Sequence, residues 1–189
     1  MKILEGGNSY DAFLVYASAS QINAILPSHV PAGDAQLTVT YNGVTSPPAN
    51  FRVVKTRLGI FNTNGAAIAQ NVASPTSYPL NLPSAPAIPG QTVLLWGTGM
   101  GPIDAADNYP PVNNPTDMSD VPVTITAGGV PAQRLYAGRQ SQTAGVDNVY
   151  FTVPQNAPLG CWVPVAVTAG GFAANTTTIA ISADGSPCR

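Results

Sequence analysis

The feature that most restricts the fold is an internal repeat, in which residues 136–181 rewrite residues 16–53 at a displacement of about 120 to 128 positions. Tyr16-Ala17 answers Tyr136-Ala137, residues 22–27 answer 149–154, and Pro31-Ala32-Gly33 answers Pro158-Leu159-Gly160. After one inserted residue Leu37 and Val39 answer Val165 and Val167, Gly43 answers Gly171, and Phe51 and Val53 answer Ile179 and Ile181. Apolar residues alternate with polar ones through both copies, which is the period of a half-buried strand. A duplicated β module follows, with two cores rather than one.

In the first copy strands are expected near residues 11–17, 21–26, 35–41 and 49–54, each bounded by Pro, Gly or Asn. Alternation puts Ile22, Ala24 and Leu26 on one face, likewise Leu37, Val39 and Tyr41, then Phe51 and Val53. Asn42-Gly43 supplies the positive φ values of a tight hairpin turn. The opening Ile3-Leu4-Glu5-Gly6-Gly7 resembles Ile125-Thr126-Ala127-Gly128-Gly129, so the first copy begins near residue 1. The second copy is preceded by a strand at Gln91-Thr92-Val93-Leu94-Leu95-Trp96-Gly97, and the first has no counterpart to it. The first module is therefore expected to be incomplete. Its open face calls for a strand from upstream residues, from residues 58–70 folding back, or from a neighbouring molecule by strand complementation.

Residues 58–90 hold Pro75, Pro79, Pro83, Pro86 and Pro89. Proline removes ladder donors, so this run is expected to be a connection with at most a short hairpin near 59–70. No basic residue neighbours these prolines, which argues against a polyproline partner motif. Further strands are expected near 91–97, 121–127, 131–137, 147–153, 162–169 and 173–182, with Pro164 at an edge or a bulge. The result is an all-β chain of two tandem immunoglobulin-like sandwich modules: residues 1–57, a Pro-rich connection 58–90, and residues 91–189. A closed barrel is the alternative.

Charged residues make up 8% of the chain against about 25% in typical domains, and the net charge is −2. An electrostatic nucleic-acid binder, which needs a clustered basic face, is excluded. No stretch approaches the roughly 18 apolar residues of a membrane span. The Thr- and Asn-rich, Lys-poor surface points to a secreted or cell-surface bacterial protein, whose signal, if any, belongs to a longer precursor. Cys161 and Cys188 are expected to form a disulfide, because the chain turns at Gly170-Gly171 and its tail returns past the strand holding Cys161; two buried thiols are the alternative.

No pattern here carries catalysis. The one histidine, His29, lies in a loop with no nucleophile elbow anywhere, so it is expected to be solvated. Asp104, Asp107, Asp117 and Asp120, with Asn108, Asn113 and Asn114, crowd the loop 100–120. Such hard oxygen ligands suit calcium, but their spacing matches no known calcium loop, and a turn-forming loop is the plainer expectation. Gly97-Thr98-Gly99-Met100-Gly101 follows a strand but precedes prolines rather than a helix, so it reads as a turn and not a phosphate site. No cofactor is expected. Tyr136, Tyr150 and Trp162 could form a sugar-stacking platform, since alternation points Tyr150 and Trp162 away from the inner face.

Tyr16-Ala17-Ser18, Gln21-Ile22-Asn23-Ala24 through Pro27, Gly59-Ile60-Phe61, Pro89-Gly90, Gly97-Thr98-Gly99-Met100-Gly101-Pro102, Gly128-Gly129, Tyr136-Ala137-Gly138 and Val153-Pro154 form an ordered series. In these motifs the chain resembles a C-terminal domain family first noted in Solibacter proteins, found at the ends of large secreted bacterial proteins. Its second half is similar to IPT/TIG immunoglobulin-like domains through Gly90-Gln91-Thr92-Val93, the Gly-Gly turn, Val-Pro and a final strand. The family brings no catalytic residues. The resemblance implies a non-enzymatic, extracellular structural or adhesive module whose partners are its own kind or other domains of a larger chain. A carbohydrate-binding module is the alternative, and an accessory domain of a glycoside hydrolase a more distant one.

Overall fold

The computed structural model describes residues 1–111 and 116–188. The chain is all-β, with no helix among the described residues. The first copy holds β1 (Lys2–Glu5), β2 (Asn8–Asp11), β3 (Phe13–Ala17), β4 (Ile22–Ile25), β5 (Gly33–Thr38), β6 (Thr40–Tyr41), β7 (Val44–Thr45) and β8 (Ala49–Val53). The middle segment supplies β9 (Gly59–Ile60), β10 (Asn62–Thr63), β11 (Ala66–Ala67) and β12 (Ala69–Asn71). The second copy follows with β13 (Thr92–Thr98), β14 (Thr116–Asp117), β15 (Val123–Ala127), β16 (Val130–Arg139), β17 (Asp147–Thr152), β18 (Gly160–Ala169), β19 (Phe172–Ala173) and β20 (Thr177–Ile181).

Strand pairing repeats with the sequence. β15 pairs with β16 and β18, β16 with β17, and β18 with β20. In the first copy β1 pairs with β2 and β5, β3 with β4, and β5 with β8. The unbroken β16 is thus represented by β2 and β3, divided at Ala12. Even the irregularity is repeated: register slips between Arg134 and Tyr136 and, in the first copy, between Leu14 and Tyr16. Such a bulge bends a strand, and here it takes β16 from its pairing with β15 to its pairing with β17, so that the sheet turns over the core as in a β-sandwich.

Two separate cores result. The second is large, and Phe151, Leu95, Val93, Val149, Val165 and Ile181 lie wholly inside it. The first is small, built on Ile3, Ala12, Val30, Ala35 and Val53, with Leu37 and Phe51 half-buried against it. Tyr41 departs from expectation: it is 77% exposed rather than on the core face. β5 ends at Thr38, and the β6–β7 hairpin projects beyond the sheet with Asn42 and Gly43 at φ 49° and 77°.

Residues 58–90 depart further, being part of the second core rather than a connection laid over a sheet. β9 and β12 pair with β13, β11 runs parallel to β20, and Leu58, Ile60, Ala67, Ala69 and Ala87 are buried in that core. The expected hairpin does form, as β10–β11 about Asn64-Gly65. Where prolines remove ladder donors, side-chain amides replace them. Asn81 Nδ2 donates to Ala180 O and to Asn71 Oδ1, both at 2.9 Å, while its Oδ1 accepts from the Ala180 N–H at 2.7 Å. Pro164 stands in an interior strand rather than at an edge, beside a register slip between Gly160 and Val163, and its carbonyl accepts from the Gly128 N–H at 2.7 Å. Cys161 and Cys188 are bonded, with Cα atoms 5.5 Å apart, and the Cys188 N–H also holds Pro83 O at 2.9 Å.

Candidate functional site

The duplication exposes one inequality between the copies. β17 is paired on both sides, by β16 and by β13, whereas among the described residues β4 is paired by β3 alone. Burial follows. Val149 and Val153 are 1% and 0% exposed, while their first-copy counterparts Ile22 and Leu26 are each 39% exposed. Leu14, Val15 and Tyr16 on β3 are also exposed, so the bare apolar surface lies on the β3–β4 hairpin and not on β5 and β8. Residues 58–70 do not fold back to cover it, because β9 and β11 are committed to β13 and β20 of the second copy. The far end of the hairpin is anchored instead. Ser28 donates its N–H to Asp107 Oδ2 at 2.8 Å and its hydroxyl to Asp107 Oδ1. Gly145 sits so close to Ile25 that an added Cβ would fall 2.8 Å from it.

A second feature occupies the outer face of the second copy. Register places Gln70, Leu94, Tyr150 and Tyr136 in one row across β12, β13, β17 and β16, with Trp96 beside Asn148 in the next. Tyr78 and Pro75 close one side, and Gln140 to Gln142 the other, around a groove of about 610 Å³. The aromatic walls are fixed in place. Trp96 Nε1 donates to Gln70 Oε1 at 2.9 Å, and Gln70 Nε2 donates to Tyr78 O at 2.7 Å. Tyr136 and Tyr150 meet edge to face at 5.7 Å. Burial, and then the charges of Asp117 and Asp147, hold the Tyr136 phenol well above its usual pKa; burial, and then Tyr78, raise that of Tyr150.

The expected pairing of Tyr150 with Trp162 does not occur. β17 and β18 are not neighbours, and Trp162 lines a different hollow with Leu80, Leu82 and Pro83. Both side chains point outward, as alternation requires, but from opposite layers of the sheet. Tyr150 instead joins Trp96, Tyr78 and Gln70. The outward position of Trp96 follows from alternation along residues 92–98, whereas no local pattern announces Gln70 or Tyr78.

The acidic loop is dispersed. Asp107 holds Ser28, Asp117 pairs with Arg134 and accepts from the Ala137 N–H at 3.0 Å, and Asp120 lies 3.9 Å from Lys55. Asn113 and Asn114 lie outside the described residues. Among those described, no group of three or more His, Cys, Asp or Glu converges as a metal site would need. His29 packs against the Tyr10 ring at 5.5 Å. Sequence reasoning passed over a buried ion pair: Arg139 Nε donates to Asp147 Oδ1 at 2.8 Å, Asp147 Oδ2 accepts from the Met100 N–H at 2.8 Å, and Arg139 Nη2 donates to Gly101 O at 3.1 Å. It fastens the glycine-rich stretch after β13. Gly99, at φ 95°, lets that stretch approach Arg57 so closely that an added Cβ would fall 2.3 Å from Arg57 O.

No protein family, curated protein or solved structure matches the chain.

Proposed function

We propose that the chain is a non-enzymatic, extracellular structural or adhesive protein of two IPT/TIG-type immunoglobulin-like modules, and that it associates by accepting a β-strand along β4. One observation carries this. The second module pairs its equivalent of β4 with β13 and buries its apolar side chains, and the first leaves Ile22 and Leu26 part-exposed. An incoming strand would lie antiparallel to β4, as β13 lies on β17. It would present apolar side chains where Val93 and Leu95 face Phe151 and Val149. The donor is a neighbouring molecule or domain of the same module type. Head-to-tail contacts between copies are heterologous and extend into a fibre wherever the rotation does not close. The resemblance to secreted Solibacter-type C-terminal domains supports the reading, as do the low charge and the disulfide, which suits an oxidising compartment.

The test is a synthetic peptide carrying residues 91–98, titrated against the full chain by fluorescence anisotropy beside sedimentation over a range of concentrations. Saturable binding and concentration-dependent assembly are expected, with both weakened at least about tenfold by Ile22→Lys, which puts a charge on the receiving edge. A chain that stays monomeric at every concentration and ignores the peptide would overturn the proposal.

A further inference from the structure

The groove over β13 and β17 belongs to the second module and is separate from the β4 edge. We propose that it binds a neutral oligosaccharide. Four observations lead to this ligand class. Trp96, Tyr78, Tyr136 and Tyr150 line one open trough, and the negative face of an aromatic ring attracts the polarised C–H bonds of a sugar ring. The same trough is lined by the side-chain amides of Gln140, Gln142 and Asn148, which carry the donor and acceptor groups that hydroxyls require, while Gln70 is engaged at both ends in holding Trp96 and Tyr78. Among the described residues none that lines the groove bears a charge, which disfavours uronate, sulfate or phosphate ligands. Finally, Gln140 is only 5% exposed, and its Nε2 has no partner among the described residues, although its Oε1 accepts from the Gln142 N–H at 2.5 Å.

A buried donor left unpaired is destabilising, and a ligand hydroxyl would supply the missing acceptor. The volume of about 610 Å³ lies within the range of small-molecule sites, roughly 300–1,000 Å³. Three strand spacings across the row from Gln70 to Tyr136, about 14 Å, favour a short linear chain over a single sugar. The first module differs at the corresponding place. Asn23 stands where the second has Tyr150.

The experiment uses the two tryptophans. In the full chain carrying Trp162→Phe, Trp96 is the sole indole, so its emission reports on the groove alone. Cello-, manno-, xylo- and chito-oligosaccharides are titrated in turn, with polygalacturonate as an acidic control and a proline-rich peptide as a competing ligand class. A saturable change in Trp96 emission with at least one neutral oligosaccharide is expected. Tyr78→Ala, in the exposed wall, and Gln140→Met should each weaken it by roughly tenfold, the equivalent of one lost contact of about 1.4 kcal/mol. Tyr78→Ala is retained as the deciding variant if Gln140→Met fails to fold. No response to any neutral sugar, preference for polygalacturonate or the peptide, or binding indifferent to Tyr78→Ala would overturn the proposal.

Discussion

Replacing Arg139 by Met is the most informative single change, because it breaks a fully enclosed charge pair without altering side-chain bulk greatly. Asp147 is 0% and Arg139 6% exposed. At 2.8 Å and an effective dielectric of about 20 the attraction is about 6 kcal/mol, most of it offset by the cost of removing both charges from water. The pair by itself therefore adds little net stability. Losing one partner is different, since Asp147 would keep only the Met100 N–H, and such breakage costs about 3–5 kcal/mol. Against a typical total of about 5–15 kcal/mol this is a large fraction. Guanidinium unfolding followed by selectively excited tryptophan fluorescence is the assay, because Trp96 and Trp162 both lie in the second module and the first has tyrosines but no tryptophan. The midpoint should fall accordingly, and Arg139→Met with Asp147→Leu should recover most of the loss by removing the stranded charge as well. A loss below about 1 kcal/mol, the size of a surface pair, or a double variant no better than the single one, would refute the reasoning.

Reduction of the Cys161–Cys188 bond, which spans a sequence separation of 27, should lower stability by about 3–4 kcal/mol, read as a shifted denaturation midpoint. Freshly isolated protein should show no alkylatable thiol until it is reduced. Asn81→Leu should cost about 2–4 kcal/mol, because it strands the buried Ala180 N–H and Asn71 Oδ1, and hydrogen exchange at Ala180 should quicken. Tyr136 and Tyr150 titrate above the ordinary phenol value of 10.0 in the folded chain. The unfolded chain therefore loses these protons first, so the stability they carry is intact below that pH and declines as pH rises above it. Thermal scans across the alkaline range, compared with Tyr150→Phe, should show a shallower decline in the variant.

What the sequence determined was everything carried by local period and by self-similarity. The apolar alternation named the all-β class and most strands; Asn42-Gly43 named its hairpin; the repeat identified the strand that β17 has and β4 lacks. Cys161 and Cys188 were legible because the chain had to turn back between them. Tertiary structure decided what depends on which strands lie side by side. Tyr150 and Trp162 share an outward orientation, yet orientation does not say to which layer a strand belongs, and β17 and β18 stand in different ones. The Pro-rich residues 58–90 looked like a connection because proline suppresses local strand signals. Their core role rests on Asn71, Asn81 and short ladders to β13 and β20, whose partners are distant in the chain. The aromatic groove was hidden for the same reason: Gln70 and Tyr78 meet Trp96 and Tyr150 only through strand pairing, and pairing between remote segments leaves no mark in the order of residues along either one.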